Sequence, residues 1–304
     1  MEKEFEKICR MSQKTLKKYV VTQLKENYAN VINGDGFVYA EGAFPVLLVA
    51  HLDTVHDNLP NIILNDNGVL SSPNGIGGDD RCGVYMILEI VKRYNCSVLF
   101  CKDEEIGCVG AKKFVETKLA NSLVGKFNYI MEFDRKGKND AVFYECDNKE
   151  FEAFITREFY QTDIGSYSDI SVIAPFLECA AVNLSCGYYG AHTKKEYVVW
   201  KEMQVSIDEA KKILARTTAE DKFEYVEALG YGNYGWYDDP YFDEDYYVVE
   251  FIDEHDEYTY FEAMALSEEE AIGLWCIAND KLPFSSVVNV YKEKVTPYGT
   301  MDWR

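Results

Sequence analysis

The chain has 304 residues, 47% of them hydrophobic, and a formal net charge of −21. That length allows one large domain with a sizeable core plus an appendage. The acidity excludes a phosphate backbone as a natural partner, and no apolar run approaches the roughly 20 residues that span a membrane.

In chain order, the charged start from Met1 to Lys7 lacks the apolar centre of a secretion signal. Nine cysteines without paired spacing suit a reducing compartment, so the expected setting is cytoplasmic. Leu16, Tyr19, Val20 and Leu24 recur at helical spacing and predict a helix from Ser12, its N-cap, to about Asn27. Gly34-Asp35-Gly36 between two β-rich runs predicts a hairpin, and Asn67-Gly68 another. Val84, Ile87, Leu88 and Val91 predict a helix over Asp80 to Tyr94, and further helices are expected near Ala111–Leu119 and Ile207–Ala215. Strand, loop and helix alternate, so residues 1–217 read as an α/β body, a mostly parallel mixed sheet flanked by helices. From about residue 218 to 245 the chain turns rich in Gly, Tyr and Asp and reads as an acidic linker or exposed loop, its charge runs solvated. Residues 246–304 read as a small α+β module of ββαβ order. It comprises a hairpin across Glu254–Glu257, a capping box at Ser267–Glu270 opening a helix to Ala278, and a final strand at Val287–Val290.

Three apolar runs end in clustered polar residues. Pro45–Ala50 runs into His51 and Asp53, Ser97–Cys101 into Asp103-Glu104-Glu105, and Tyr129–Phe133 into Asp134. Ligands of open α/β sheets bind beyond the carboxyl ends of the strands. Carboxylates and imidazoles delivered there suit a metal pair. Of four histidines, His51 has a carboxylate two residues on, which would fix its tautomer, and His192 follows the apolar run Ala180–Leu184. His56 and His255 have no comparable setting. Asp79 and Asp80 follow a glycine-rich turn, which lets Asp79 project into a site and bridge two metals while Asp80 caps a helix. Glu104 and Glu105 are adjacent, so in extended backbone they point opposite ways, one toward metal and the other toward substrate as a proton shuttle.

Together, His51-x-Asp53, Gly78-Asp79-Asp80, Glu104-Glu105, Asp134 and His192 resemble, in order, the ligand set of the co-catalytic di-zinc exopeptidases. That clan includes the leucine aminopeptidases, tripeptidase T, the carboxypeptidase G group and the tetrahedral aminopeptidases. The likeness covers about His51 to Tyr197. It implies a zinc exopeptidase-like fold and two divalent ions, zinc with cobalt or manganese as alternatives. His51 and Asp134 would hold one ion, Glu105 and His192 the other, and Asp79 would bridge them. Asp53 would support His51, and Glu104 would be the general base. Glu132, two residues upstream, rivals Asp134. Tyr167, in Gly165-Ser166-Tyr167-Ser168-Asp169, is a candidate for binding the substrate carbonyl, with simple packing as the alternative.

Residues 135–191 leave no room for the lid domain that the tripeptidase T and carboxypeptidase G groups carry there, and the body is expected to be lidless. This and the acidic field favour an aminopeptidase acting on short peptides. Two alternatives stay open. One is hydrolysis of another amide, an N-acyl amino acid or a carboxypeptidase substrate. The other is a non-catalytic protein that docks a protein partner through its C-terminal module.

Overall fold

A computed structural model describes residues 2–165, 167–228, 245–252, 258–265 and 286–292. The chain divides into two units, Met1–Leu229 and Gly230–Arg304.

The first unit opens with α1 (Glu2–Cys9), a helix that the sequence reading left out, and α2 (Gln13–Leu24). Ser12 caps α2 as expected, its side chain accepting from the Thr15 N–H. There follow β1 (Val31–Asn33), β2 (Phe37–Ala40), β3 (Phe44–His51), β4 (Leu64–Asp66), β5 (Val69–Ser71), α3 (Gly78–Ile90) and β6 (Cys96–Cys101). Next come α4 (Val109–Val115), α5 (Lys118–Leu123), β7 (Tyr129–Arg135), β8 (Asp140–Val142), α6 (Lys149–Thr156), β9 (Gln161–Asp163) and α7 (Asp169–Leu177). β10 (Ala181–Ser185), β11 (Tyr188–Tyr189), β12 (Tyr197–Val199) and α8 (Trp200–Arg216) complete it. The single helix expected near Ala111–Leu119 is two, because Thr117 starts α5 by accepting from the Ala120 N–H.

Eight strands form the main sheet in the order β1-β2-β6-β3-β7-β10-β8-β9. β3 pairs parallel with β6 and β7, and β10 parallel with β7. The β1–β2 hairpin turns at the predicted glycines. Central strands of such a sheet are buried on both faces, which is why β3, β6 and β7 are largely apolar, with Ser97 and Glu132 as buried polar interruptions. Alternate residues serve two cores. Val46, Leu48 and Ala50 join Phe100, Phe133, Ile87 and Ile207 in one, against α3 and α8. Leu47 and Val49 join Leu99, Ile130, Phe114 and Ile173 in the other, against α4 and α7. The eight described cysteines are free and buried.

Because β3, β6 and β7 run the same way, their carboxyl ends put His51, the loop after Cys101 and Asp134 at one edge. A second sheet, β11-β12-β5-β4, adds the β11–β12 hairpin whose loop carries His192. Residues 135–191 are taken up by elements of the body. The first unit also continues past the expected boundary at Thr217: the Phe223 N–H donates to the Asn128 carbonyl, and Glu224 and Glu227 bridge to Cys179 and Cys146.

In the second unit β13 (Asp245–Ile252) pairs antiparallel with β14 (Tyr258–Ala265) and with β15 (Val287–Lys292). The turn with His255 and the helix expected over Ser267–Ala278 lie outside the described residues. Among the described residues no helix is long and apolar enough to cross a membrane.

Candidate active site

His51 closes β3 and is 1% exposed. Its Nε2 lies 3.0 Å from Asp79 Oδ1 and 3.4 Å from Asp134 Oδ1. Its Nδ1 faces Asp53 Oδ1 at 3.3 Å. Asp53 does more than the sequence suggested. Its two oxygens also accept the N–H groups of Glu104 and Glu105, each at 3.1 Å, so one carboxylate fixes both the first imidazole and the glutamate loop.

Asp79 sits where the glycine-rich turn meets α3, and the Asp79–Asp80 peptide is cis. Asp80 plays the expected cap: its Oδ1 accepts the Gly83 N–H at 2.7 Å, while Oδ2 accepts the His51 N–H at 3.1 Å. Asp79 faces two ways, Oδ1 toward His51 and Oδ2 toward His192 Nε2 at 3.2 Å. His192 Nε2 is also 3.0 Å from Glu105 Oε2. His192 is 58% exposed, so the two imidazoles stand in unlike surroundings, one walled in and one at the rim. Glu104 Oε2 is 4.0 Å from His51 Nε2, and its Oε1 receives the Cys108 thiol at 3.6 Å. Asp134 is held by the Ser168 hydroxyl, which donates to its Oδ2 at 3.1 Å.

Three sets of donor atoms lie within 4.8 Å of one another: His51, Asp79 and Asp134; His51, Glu104 and Glu105; Asp79, Glu105 and His192. All predicted ligands are in them. Glu132 is in none. It is buried with its Oε2 unpartnered. Tyr167 is 52% exposed on the loop before Ser168, outside these sets.

The electrostatics are those of crowded, buried carboxylates around two imidazoles. Burial pushes Glu104 and Glu105 up to about 7 and Asp134 to about 6, with repulsion from neighbouring carboxylates adding to the shift. His192, hydrogen-bonded to Asp79, rises to about 9. Burial alone would lower His51, but the Asp134 charge and the hydrogen bonds to Asp134, Asp53 and Asp79 raise it well above its ordinary value. For Asp53 burial works upward, yet His51 and the two backbone N–H groups hold it near 2. Protons on the imidazoles thus stand where divalent ions would relieve the crowding. Glu105 Oε1 is buried without a partner, as a ligand atom awaiting a cation would be. The imidazole and carboxylate donors fit zinc-type ions.

Residues 28–171 match the model of peptidase family M28. Over that stretch, somewhat under half of its length, the chain is similar to this peptidase family. No curated protein sequence matches it. Among solved structures, the chain shares its fold with the aminopeptidase PepT of Bacillus cereus, at TM-score 0.58 and 14% identity over 70% of this chain and 96% of that one. A Staphylococcus aureus tripeptidase gives 0.57 and 14%, over 70% and 97%. An aminopeptidase from Desulfurococcus kamchatkensis gives 0.54 and 15%, over 72% and 95%.

The sequence reading missed three residues around the cluster. Arg81 is buried and donates to the carbonyls of Leu52, Asp53 and Met11, pinning the chain beneath His51 and Asp53. Glu196 is fully buried, and its Oε2 is 2.7 Å from His56 Nε2, which gives His56 a partner that no local spacing showed. Position four residues after His192 was the only signal for Glu196.

Proposed function

We propose that the protein is an aminopeptidase that removes N-terminal residues from short peptides with two divalent ions, zinc being the ion that suits its nitrogen and oxygen donors. His51 and Asp134 would hold one, Glu105 and His192 the other, with Asp79 shared between them. Bound there, such a pair supplies an acidified water and a polarised carbonyl.

The chain's own groups do the rest. Glu104, raised to about 7 by burial, is poised to take a proton from the attacking water and return it to the departing amine. Asp53 keeps His51 in one tautomer and presents Glu104 and Glu105 together through their N–H groups. The observation that carries the aminopeptidase reading is the sign of the site. Asp53, Asp79, Glu104, Glu105 and Asp134 gather around two imidazoles, and Arg81, the buried cation beside them, is engaged by backbone carbonyls. With two divalent ions bound, the five carboxylates leave about one net negative charge, a residual field that favours an ammonium terminus over a carboxylate one. Residues 135–191 lie within the body, where a lid reading the carboxylate end would otherwise insert. Solved structures of the same fold titled aminopeptidase and tripeptidase agree with this reading.

The test is a panel of free, N-acetylated and C-amidated dipeptides assayed with and without added zinc. Cleavage of free and amidated substrates but not acetylated ones is expected. Cleavage that survives acetylation but needs a free carboxylate would replace the reading with a carboxypeptidase or acylase. No turnover with metal bound would mark a binding protein.

A further inference from the structure

Asp79, Glu105 and His192 come from three segments, and Asp79 and His192 are more than a hundred residues apart. To receive one cation they must keep their spacing although carboxylates repel and His192 is 58% exposed on a hairpin loop, with φ of +62°. Something has to tie that hairpin to the turn carrying Asp79.

Glu196 stands at the foot of the same hairpin, one residue before β12, and is fully buried. Its Oε1 accepts the Asp79 N–H at 3.0 Å. Its Oε2 accepts the Gly77 N–H at 2.7 Å and faces His56 Nε2 at 2.7 Å. A carboxylate can only accept, so the proton of that last bond sits on Nε2. One buried carboxylate therefore grips the turn on both sides of Gly78 and is itself closed by an imidazole. Two glycines allow the approach. A Cβ on Gly78 would lie 2.8 Å from Tyr188 Cβ and 2.9 Å from Val198 Cγ2 in the two hairpin strands. A Cβ on Gly75, at φ of +87°, would lie 2.2 Å from His56 Cε1.

We propose that Glu196, backed by His56, is a positioning residue that locks the Asp79 turn to the His192 hairpin and so sets the affinity of the more exposed cation position. The proposal rests on the reading of Asp79, Glu105 and His192 as ligands. Glu196 touches no ligand side chain. It acts through the backbone of Gly77 and Asp79, as groups behind metal ligands generally do, where their loss costs about 10–100-fold in metal affinity.

The experiment is a calorimetric titration of chelator-stripped full-length protein with zinc, repeated with cobalt to follow absorption at each position. The wild type should bind two ions in two steps. Glu196→Gln keeps the shape but turns an NH2 against backbone N–H groups. The tighter step, at His51 and Asp134, should persist while the weaker falls about 10–100-fold. Both steps at wild-type affinity would overturn the proposal, and so would both weakened alike with a lowered melting temperature. Should Glu196→Gln not fold, His56→Gln reads the same quantity. Its side chain is 9% exposed, and the weaker step alone should loosen. An unchanged weaker step overturns the proposal. A wild type that fails to bind two ions would instead overturn the ligand reading, and this inference with it.

Discussion

In the proposed roles, Glu104 and Glu105 are neighbours with different chemistry. Both N–H groups donate to one carboxylate, Asp53, and both side chains are lifted to about 7 by burial. Glu105 Oε2 meets His192, whereas Glu104 Oε1 meets the Cys108 thiol. Glu104→Gln should therefore keep both metal ions and lose about 10²–10⁴-fold in kcat. Metal analysis and steady-state kinetics on the same preparation check this, and wild-type turnover would remove Glu104 from the chemistry. His51, Asp53, Asp79 and Asp134 were legible because each follows an apolar run or a glycine turn. Glu196 was not, since Thr193-Lys194-Lys195-Glu196 reads as a solvated charge run until the fold buries its last member.

At the scale of elements, the site depends on how closely α3 approaches β7. A Cβ on Gly83 would sit 1.8 Å from the Phe133 carbonyl oxygen and 2.5 Å from Asp80 Oδ1. Gly83→Ala should force the helix start off the sheet and cost about 1–3 kcal/mol or more, as overpacking does. Chemical denaturation should show a lower midpoint, and an unchanged midpoint would mean the contact yields freely. The three central parallel strands were readable because burial on both faces demands largely apolar runs. α1 was not, being eight residues with only Phe5, Ile8 and Cys9 buried. Nor was the β11–β12 hairpin, whose strands are two and three residues long and too short for a periodic signal. The break between α4 and α5 hides in a continuous helical pattern and comes from one side-chain cap at Thr117.

For the whole molecule, the same crowding of acids makes the metal-free fold sensitive to pH. Glu104 and Glu105 titrate near 7 when folded against an ordinary 4.5, so the folded state binds protons that the unfolded chain has released. The resulting destabilisation begins above about pH 4.5 and is complete above about 7. His192 titrates near 9 against an ordinary 6.5, so its contribution is full below 6.5 and lost as pH rises through 9. Both act in one direction. Scanning calorimetry of chelated protein should show Tm falling from about pH 5 to 9, with zinc restoring it. A rise over that range would contradict the assignment. Asp53, depressed to about 2, opposes the trend only below its ordinary 3.8. The central claim is that five side chains from distant segments enclose two cations. Anomalous diffraction from a zinc-soaked crystal tests it most directly. The account predicts two peaks about 3.5–4 Å apart, one against His51 and Asp134, one against Glu105 and His192, with Asp79 between. A single peak, or zinc bound away from these residues, would contradict it.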